Sequence, residues 1–267
     1  MPDLSHTESI SVSGIRTEKL SKGQGQPFLF LHSEQGLANA KPAIDCLAEH
    51  GHVAAVSHPG WDQAELPESF TDVDDLAYFY LDFMEQFGMR DVALVGCSFG
   101  GWLAAEIAIK SCARISCVVL AGALGIKVGG PEVRDIADIF GMTHTTLREI
   151  SYADKTKAPD LMALDDDSLK IWFRNRESLS RFGWSPFLHD PKLRGRLRRI
   201  GVPTLVLWGQ HDKIVSPDYG QAFAAAIPGA RFESVPHSGH HLEIEQPEFF
   251  ARSVAAFCSA NRTVTAE

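Results

Sequence analysis

The chain has 267 residues, 45% of them hydrophobic and 22% charged, enough to bury one large core and carry a small excursion from it. A net charge of −9 speaks against nucleic acid as a partner, since phosphate binding calls for a basic surface, and no run is long and apolar enough to span a membrane. These figures fit a globular protein that acts on a small molecule, and they leave a homo-oligomer open.

The first residues, Met1 to Glu8, contain neither a basic segment nor an apolar stretch, so no signal peptide is expected. Cys46, Cys97, Cys112, Cys117 and Cys258 fall mostly inside expected strands and helices, which suits reduced, buried thiols in a cytoplasmic protein. Residues 9–20 alternate like an antiparallel hairpin. Residues 28–32, Phe-Leu-Phe-Leu-His, read as a buried strand, followed by a helix over 38–50, a strand over 53–57 and a helix over 73–87.

The most specific motif comes next. The apolar run Val92-Ala93-Leu94-Val95 leads into Gly96-Cys97-Ser98-Phe99-Gly100, and a helix-like stretch follows. A serine on such a sharp strand-to-helix turn is a nucleophile elbow: the flanking glycines permit the tight turn, and the helix N-terminus points N–H groups at developing negative charge. A serine hydroxyl is a poor nucleophile unaided, so the motif calls for a histidine base and an orienting carboxylate later in the chain. Cys97, in the variable position of the motif, is expected to face the core.

After a strand over 115–121, the segment 126–199 shows helical patterns with no strand between them. Its aromatic residues include Phe140, Trp172, Phe173, Phe182, Trp184 and Phe187. Asp165-Asp166-Asp167 reads as a helix start, and Leu193, Leu197 and Ile200 form the apolar stripe of a basic surface helix. Residues 202–209 then read as a buried strand, with Asp212 in the loop at its carboxyl end. Residues 231–235 read as an edge strand, and the loop after it carries His237, His240 and His241. The order Ser98, Asp212, His240 is the one that accompanies a nucleophile elbow. His241 competes for the role of base, and Asp212 for a cap on the helix near Ser216, where Ser216 is the better placed. A metal site of His237, His240 and His241 with Glu243 or Glu245 suits zinc by residue type but lacks the spacing of a zinc helix.

Strands alternating with helices predict an α/β protein, a mostly parallel sheet with helices on both faces. Over residues 27–258 the chain resembles the α/β-hydrolase-fold enzymes, with a small helical cap. Besides the elbow, the likeness rests on Phe28 to His32, on Ser57-His58-Pro59-Gly60-Trp61, and on Gly239-His240 through Glu245 and Pro247, which matches the family pattern G-H-x-x-x-x-E-x-P. The resemblance implies a core of residues 1–125 and 200–267 with a cap over 126–199. It places the catalytic imidazole directly after the glycine, at His240, and implies an oxyanion hole from the N–H of Phe99 and that of Glu34. Here the chain departs from the family: His32 is followed by Ser33 instead of glycine, and the Glu34 carboxylate would oppose an oxyanion unless it turned away. Trp172, Phe182 and Trp184, with His32 on the core side, are the expected pocket residues. The activity implied is acyl transfer to water without metal or organic cofactor, on an ester, lactone or thioester of a small to medium apolar acid. Carbon–carbon hydrolysis of vinylogous diketones ranks below it for want of an assignable arginine, and a slowly cleaving receptor of the same fold is a third possibility.

Overall fold

In the computed structural model, which describes residues 7–261, the expected alternation becomes eight strands: β1 (Thr7–Val12), β2 (Ile15–Lys22), β3 (Pro27–Leu31), β4 (His52–Val56), β5 (Val92–Cys97), β6 (Ile115–Ala121), β7 (Thr204–Gly209) and β8 (Arg231–Val235). They form one sheet in the order β1-β2-β4-β3-β5-β6-β7-β8. The pairs β1/β2 and β2/β4 are antiparallel and every other pair is parallel. Strands β5 and β7 are buried at every residue, as strands covered on both faces must be. Residues 1–6, on which much of the signal-peptide expectation rests, lie outside the described residues.

Two hydrophobic layers sandwich the sheet. One face is covered by α1 (Leu37–Leu47) and the C-terminal helix α9 (Pro247–Ala260), through residues such as Ile44, Leu47, Phe250 and Val254. The other is covered by α2 (Val73–Gln86), α3 (Phe99–Lys110) and α7 (Pro217–Ala225). Helix α2 starts at a full capping box, with Asp72 accepting from the N–H groups of Asp74 and Asp75 while the Asp75 carboxylate accepts from Asp72 N–H. Beyond β8, a single turn, α8 (Leu242–Glu245), leads into α9.

Between β6 and β7 lie α4 (His144–Ser151), α5 (Asp166–Gly183) and α6 (Leu193–Arg196). Asp165 caps α5, its carboxylate accepting Ser168 N–H at 2.8 Å. The basic run is shorter as an α-helix than its spacing predicts, passing into a 3-10 turn at Leu197–Arg199, yet Leu193, Leu197 and Ile200 all point inward. Helix α5 is tied to the loop after β4: Ser178 Oγ donates to Gly60 O at 2.7 Å, and Asp62 N–H donates to Asn175 Oδ1 at 2.8 Å. The inserted helices therefore rest over the carboxyl ends of the central strands, where open α/β sheets bind their ligands. Among the described residues, no helix is long and apolar enough to cross a membrane.

Candidate active site

Ser98 sits between β5 and α3 at φ 50°, a left-handed backbone that strains any residue with a side chain. The turn is held by Ser98 N–H donating to Ala121 O at 2.8 Å and by Ser98 O accepting from Gly101 N–H at 3.0 Å. Position 100 admits only glycine, because a Cβ there would lie 2.2 Å from Leu31 O. The Phe99 N–H opens α3, where first-turn amides lack an intrahelical acceptor. Cys97 lies buried in the layer of α1 and α9, on the opposite face, with its thiol pKa raised by burial.

Ser98 Oγ lies 2.8 Å from His240 Nε2, and His240 Nδ1 lies 2.8 Å from Asp212 Oδ2. All three residues are buried. The second Asp212 oxygen accepts the N–H groups of Ile214 and Val215 at 2.9 and 3.0 Å, which fixes the carboxylate as it leaves β7. The capping role near residue 216 belongs to Ser216, whose Oγ receives Tyr219 N–H at 3.3 Å. Burial acts to lower the His240 pKa, but the charge and hydrogen bond of Asp212 outweigh it, with Glu34 and Glu243 adding to the effect, and the imidazole is pushed up to about 9. The direction of the shift strengthens His240 as a proton acceptor.

The loop around His240 is anchored to the insertion. His240 N–H donates to Ser151 O at 2.7 Å, at the end of α4. Glu245 accepts Gly239 N–H on one oxygen at 2.6 Å and Asp154 N–H on the other at 2.7 Å. Gly239 permits this contact, since a Cβ there would lie 2.4 Å from Ser151 O.

The expected oxyanion role of the Glu34 backbone N–H carried the condition that its carboxylate turn away from the serine. Instead Ser98 Oγ donates to Glu34 Oε2 at 2.7 Å, and the carboxylate also meets Glu34's own N–H. Burial would raise the Glu34 pKa, but His241 and His240, the Ser98 hydroxyl and that amide outweigh it and hold the group below the usual carboxylate range. The physical reason for the inward turn is this set of partners: His241 Nε2 stands 3.4 Å from Glu34 Oε1. In the resting site a carboxylate therefore occupies the neighbourhood of the second donor.

The cavity above Ser98 is lined by Glu34, Gln35, Leu124, Trp172, Arg176 and His241, among others. Of the expected pocket residues only Trp172 is in it. His32 is fully buried beneath, stacked on His58 at 3.7 Å, its Nε2 accepting His58 N–H at 3.1 Å, and burial lowers the pKa of both rings. Phe182 stacks on Trp61 at 5.6 Å inside the core. Trp184, 63% exposed, packs on Phe140 at the surface. His237 is exposed, His240 and His241 face different carboxylates, and among the described residues no three His, Cys, Asp or Glu side chains converge on a metal position.

The sequence reading missed Arg176 and Asn175. Arg176 donates to Ile139 O at 2.7 Å and sits over the Trp172 ring at 5.5 Å. Trp172, Asn175, Arg176 and Leu179 follow i, i+3, i+4, i+7 spacing, and this stripe on α5 was the available signal.

A serine at the end of a buried strand, bonded to a buried His–Asp pair on a mostly parallel eight-stranded sheet, defines a hydrolase of the α/β class. The chain belongs to the alpha/beta hydrolase family, whose model matches residues 28–253. It is 26% identical to a 2-hydroxy-6-oxo-6-(2'-aminophenyl)hexa-2,4-dienoic acid hydrolase of Metapseudomonas resinovorans, over 96% of this chain and 92% of that protein. Among solved structures, a meta-cleavage product hydrolase of Pseudomonas fluorescens superposes with a TM-score of 0.80 at 22% identity, covering 97% of this chain and all (100%) of that one. The enol-lactonase of Burkholderia xenovorans gives 0.75 at 21% identity, covering 94% and 100%.

Proposed function

We propose that the protein is a serine hydrolase that cleaves a carboxylic ester, lactone or thioester of a small to medium apolar acid through an acyl-enzyme. The observation that carries this reading is the buried chain from Ser98 Oγ to His240 to Asp212, with both contacts at 2.8 Å. Neutral His240 takes the Ser98 proton as Oγ attacks the carbonyl, Asp212 stabilises the imidazolium, and the same imidazolium protonates the leaving group. His240 then activates the water that releases the acid. The Phe99 N–H supports the oxyanion, with the Glu34 N–H as the second donor. The inserted helices act as a cap that supplies Trp172 and Leu179 to an apolar pocket and excludes water.

Steady-state hydrolysis of p-nitrophenyl acetate, butyrate and octanoate by the wild type and Ser98→Ala, with burst detection, tests this. Repeated turnover abolished by the substitution supports the reading, and a stoichiometric burst without turnover would favour a receptor instead.

A second reading, hydrolysis of a carbon–carbon bond in a vinylogous diketone, draws support from Arg176. Its guanidinium lines the cavity and suits a substrate carboxylate, and the Metapseudomonas relative acts on an acid of that kind. Loss of the diketone chromophore on mixing with enzyme, where the esters fail, would select it.

A further inference from the structure

Glu34 is tied to Ser98 in a way that hydrolysis must undo. The single Ser98 proton cannot serve Glu34 Oε2 and His240 together, so when Ser98 turns it toward a neutral His240, Oε2 loses its donor. The oxygen left behind belongs to a largely buried carboxylate, with 19% of its side chain exposed, and losing one of its few donors there is costly. His241 stands on the side of the other oxygen, at 3.4 Å from Oε1. Beside it in sequence and on the same cavity wall, Gln35 Oε1 is buried with no hydrogen-bond partner, while its amide nitrogen donates to Tyr152 Oη at 2.7 Å. Glu34 thus presents an acceptor to the cavity next to the nucleophile, and the adjacent residue carries a second, unpartnered one.

We propose that Glu34 is a specificity-determining residue that selects carbonyl substrates bearing a hydroxyl or amino group beside the scissile carbonyl, this group donating to Glu34 in place of Ser98, with Gln35 Oε1 as a second acceptor. The inference rests on the serine-hydrolase reading above. It follows that an ester of an α-hydroxy acid supplies a donor to Glu34 Oε2 as it binds, whereas its methyl ether leaves that oxygen without the donor it had from Ser98. An anionic group at the same place meets like charge.

The test compares methyl mandelate, methyl α-methoxyphenylacetate and methyl phenylacetate as substrates of the wild type, Glu34→Gln and Glu34→Ala, with thermal unfolding confirming that the variants fold. The wild type should favour the hydroxy ester by at least about tenfold in kcat/KM over both others, because a site built to bond a hydroxyl discriminates strongly against its absence. The ratio should fall close to one in Glu34→Ala and to an intermediate value in Glu34→Gln, whose amide oxygen still accepts. Calorimetric binding of 2-hydroxyacetophenone and acetophenone, neither of which can be hydrolysed, gives a readout independent of turnover. Preferred binding of the hydroxy ketone, lost in Glu34→Ala, with no ester turned over would leave the selection standing and overturn ester hydrolysis. Ester turnover with no preference in the wild type, or with a preference unchanged in Glu34→Ala, would overturn the selection and leave hydrolysis standing. Failure of both measurements would overturn both.

Discussion

His240 and Asp212 meet at 2.8 Å with 2% and 0% of their side chains exposed, so the aspartate's charge acts on the imidazole with little screening by water. Because the imidazole is pushed up to about 9, the base form of His240 is scarce at neutral pH, and kcat/KM should climb with pH along a limb centred near 9. Glu34→Gln removes one of the negative charges that raise it, and the midpoint should move to lower pH. A profile flat between about pH 6 and about pH 10 would count against His240 as the base.

The same shift links to stability. The folded pKa lies above the ordinary value of 6.5, so this contribution is fully present below about 6.5 and is lost as pH rises through about 9. Thermal unfolding should show the melting temperature falling between neutral pH and about pH 10, and falling less in His240→Gln. Equal losses in the two proteins would detach the effect from this residue.

Ser98→Ala should lower kcat by at least about a thousandfold, with a stability change of no more than about 1–3 kcal/mol from the donor that Glu34 loses. His240→Ala should be comparably severe and Asp212→Asn somewhat milder. If His241→Ala matched Ser98→Ala while His240→Ala was mild, the roles of the two histidines would have to be exchanged.

Three substitutions among the aromatic residues of the insertion should separate pocket from packing. Trp172→Ala should raise KM with little effect on stability, and Phe182→Ala should cost about 3–5 kcal/mol because the ring leaves a void against Trp61. Trp184→Ala, at a site 63% exposed, should do neither. Chemical denaturation beside ester kinetics distinguishes the three.

Asn175 bridges α5 to Asp62 and to Gln35, accepting Asp62 N–H at 2.8 Å and donating to Gln35 O at 3.2 Å. Asn175→Ala should cost about 1–3 kcal/mol and raise KM, since it frees the helix that carries Trp172 and Arg176. An unchanged KM would mean that α5 is held well enough without it.

The positions of Ser98, Asp212 and His240 were legible because each follows a strand whose end is marked by turn residues, the first two strands buried and the third at the sheet edge, and such turns are written locally. The Glu34 contact was not. It joins residues 64 positions apart, and its direction is decided by His241, more distant still. His32 was misread for a similar reason: its partner His58 lies 26 positions on, in the loop after the adjacent parallel strand. On α5 and just past its end, aromatic content drew notice to Phe182 and Trp184, whereas the helical spacing from Trp172 leads to Asn175 and Arg176. The limits of β6, β8 and α2 followed almost directly from apolar patterning and caps.

The bonds from Ser151 O to His240 N–H and from Glu245 to both Gly239 and Asp154 join the loop of the base to the insertion's own backbone. The base and the insertion are thus mechanically linked, and a displacement of α4 would be passed to the backbone that carries the imidazole.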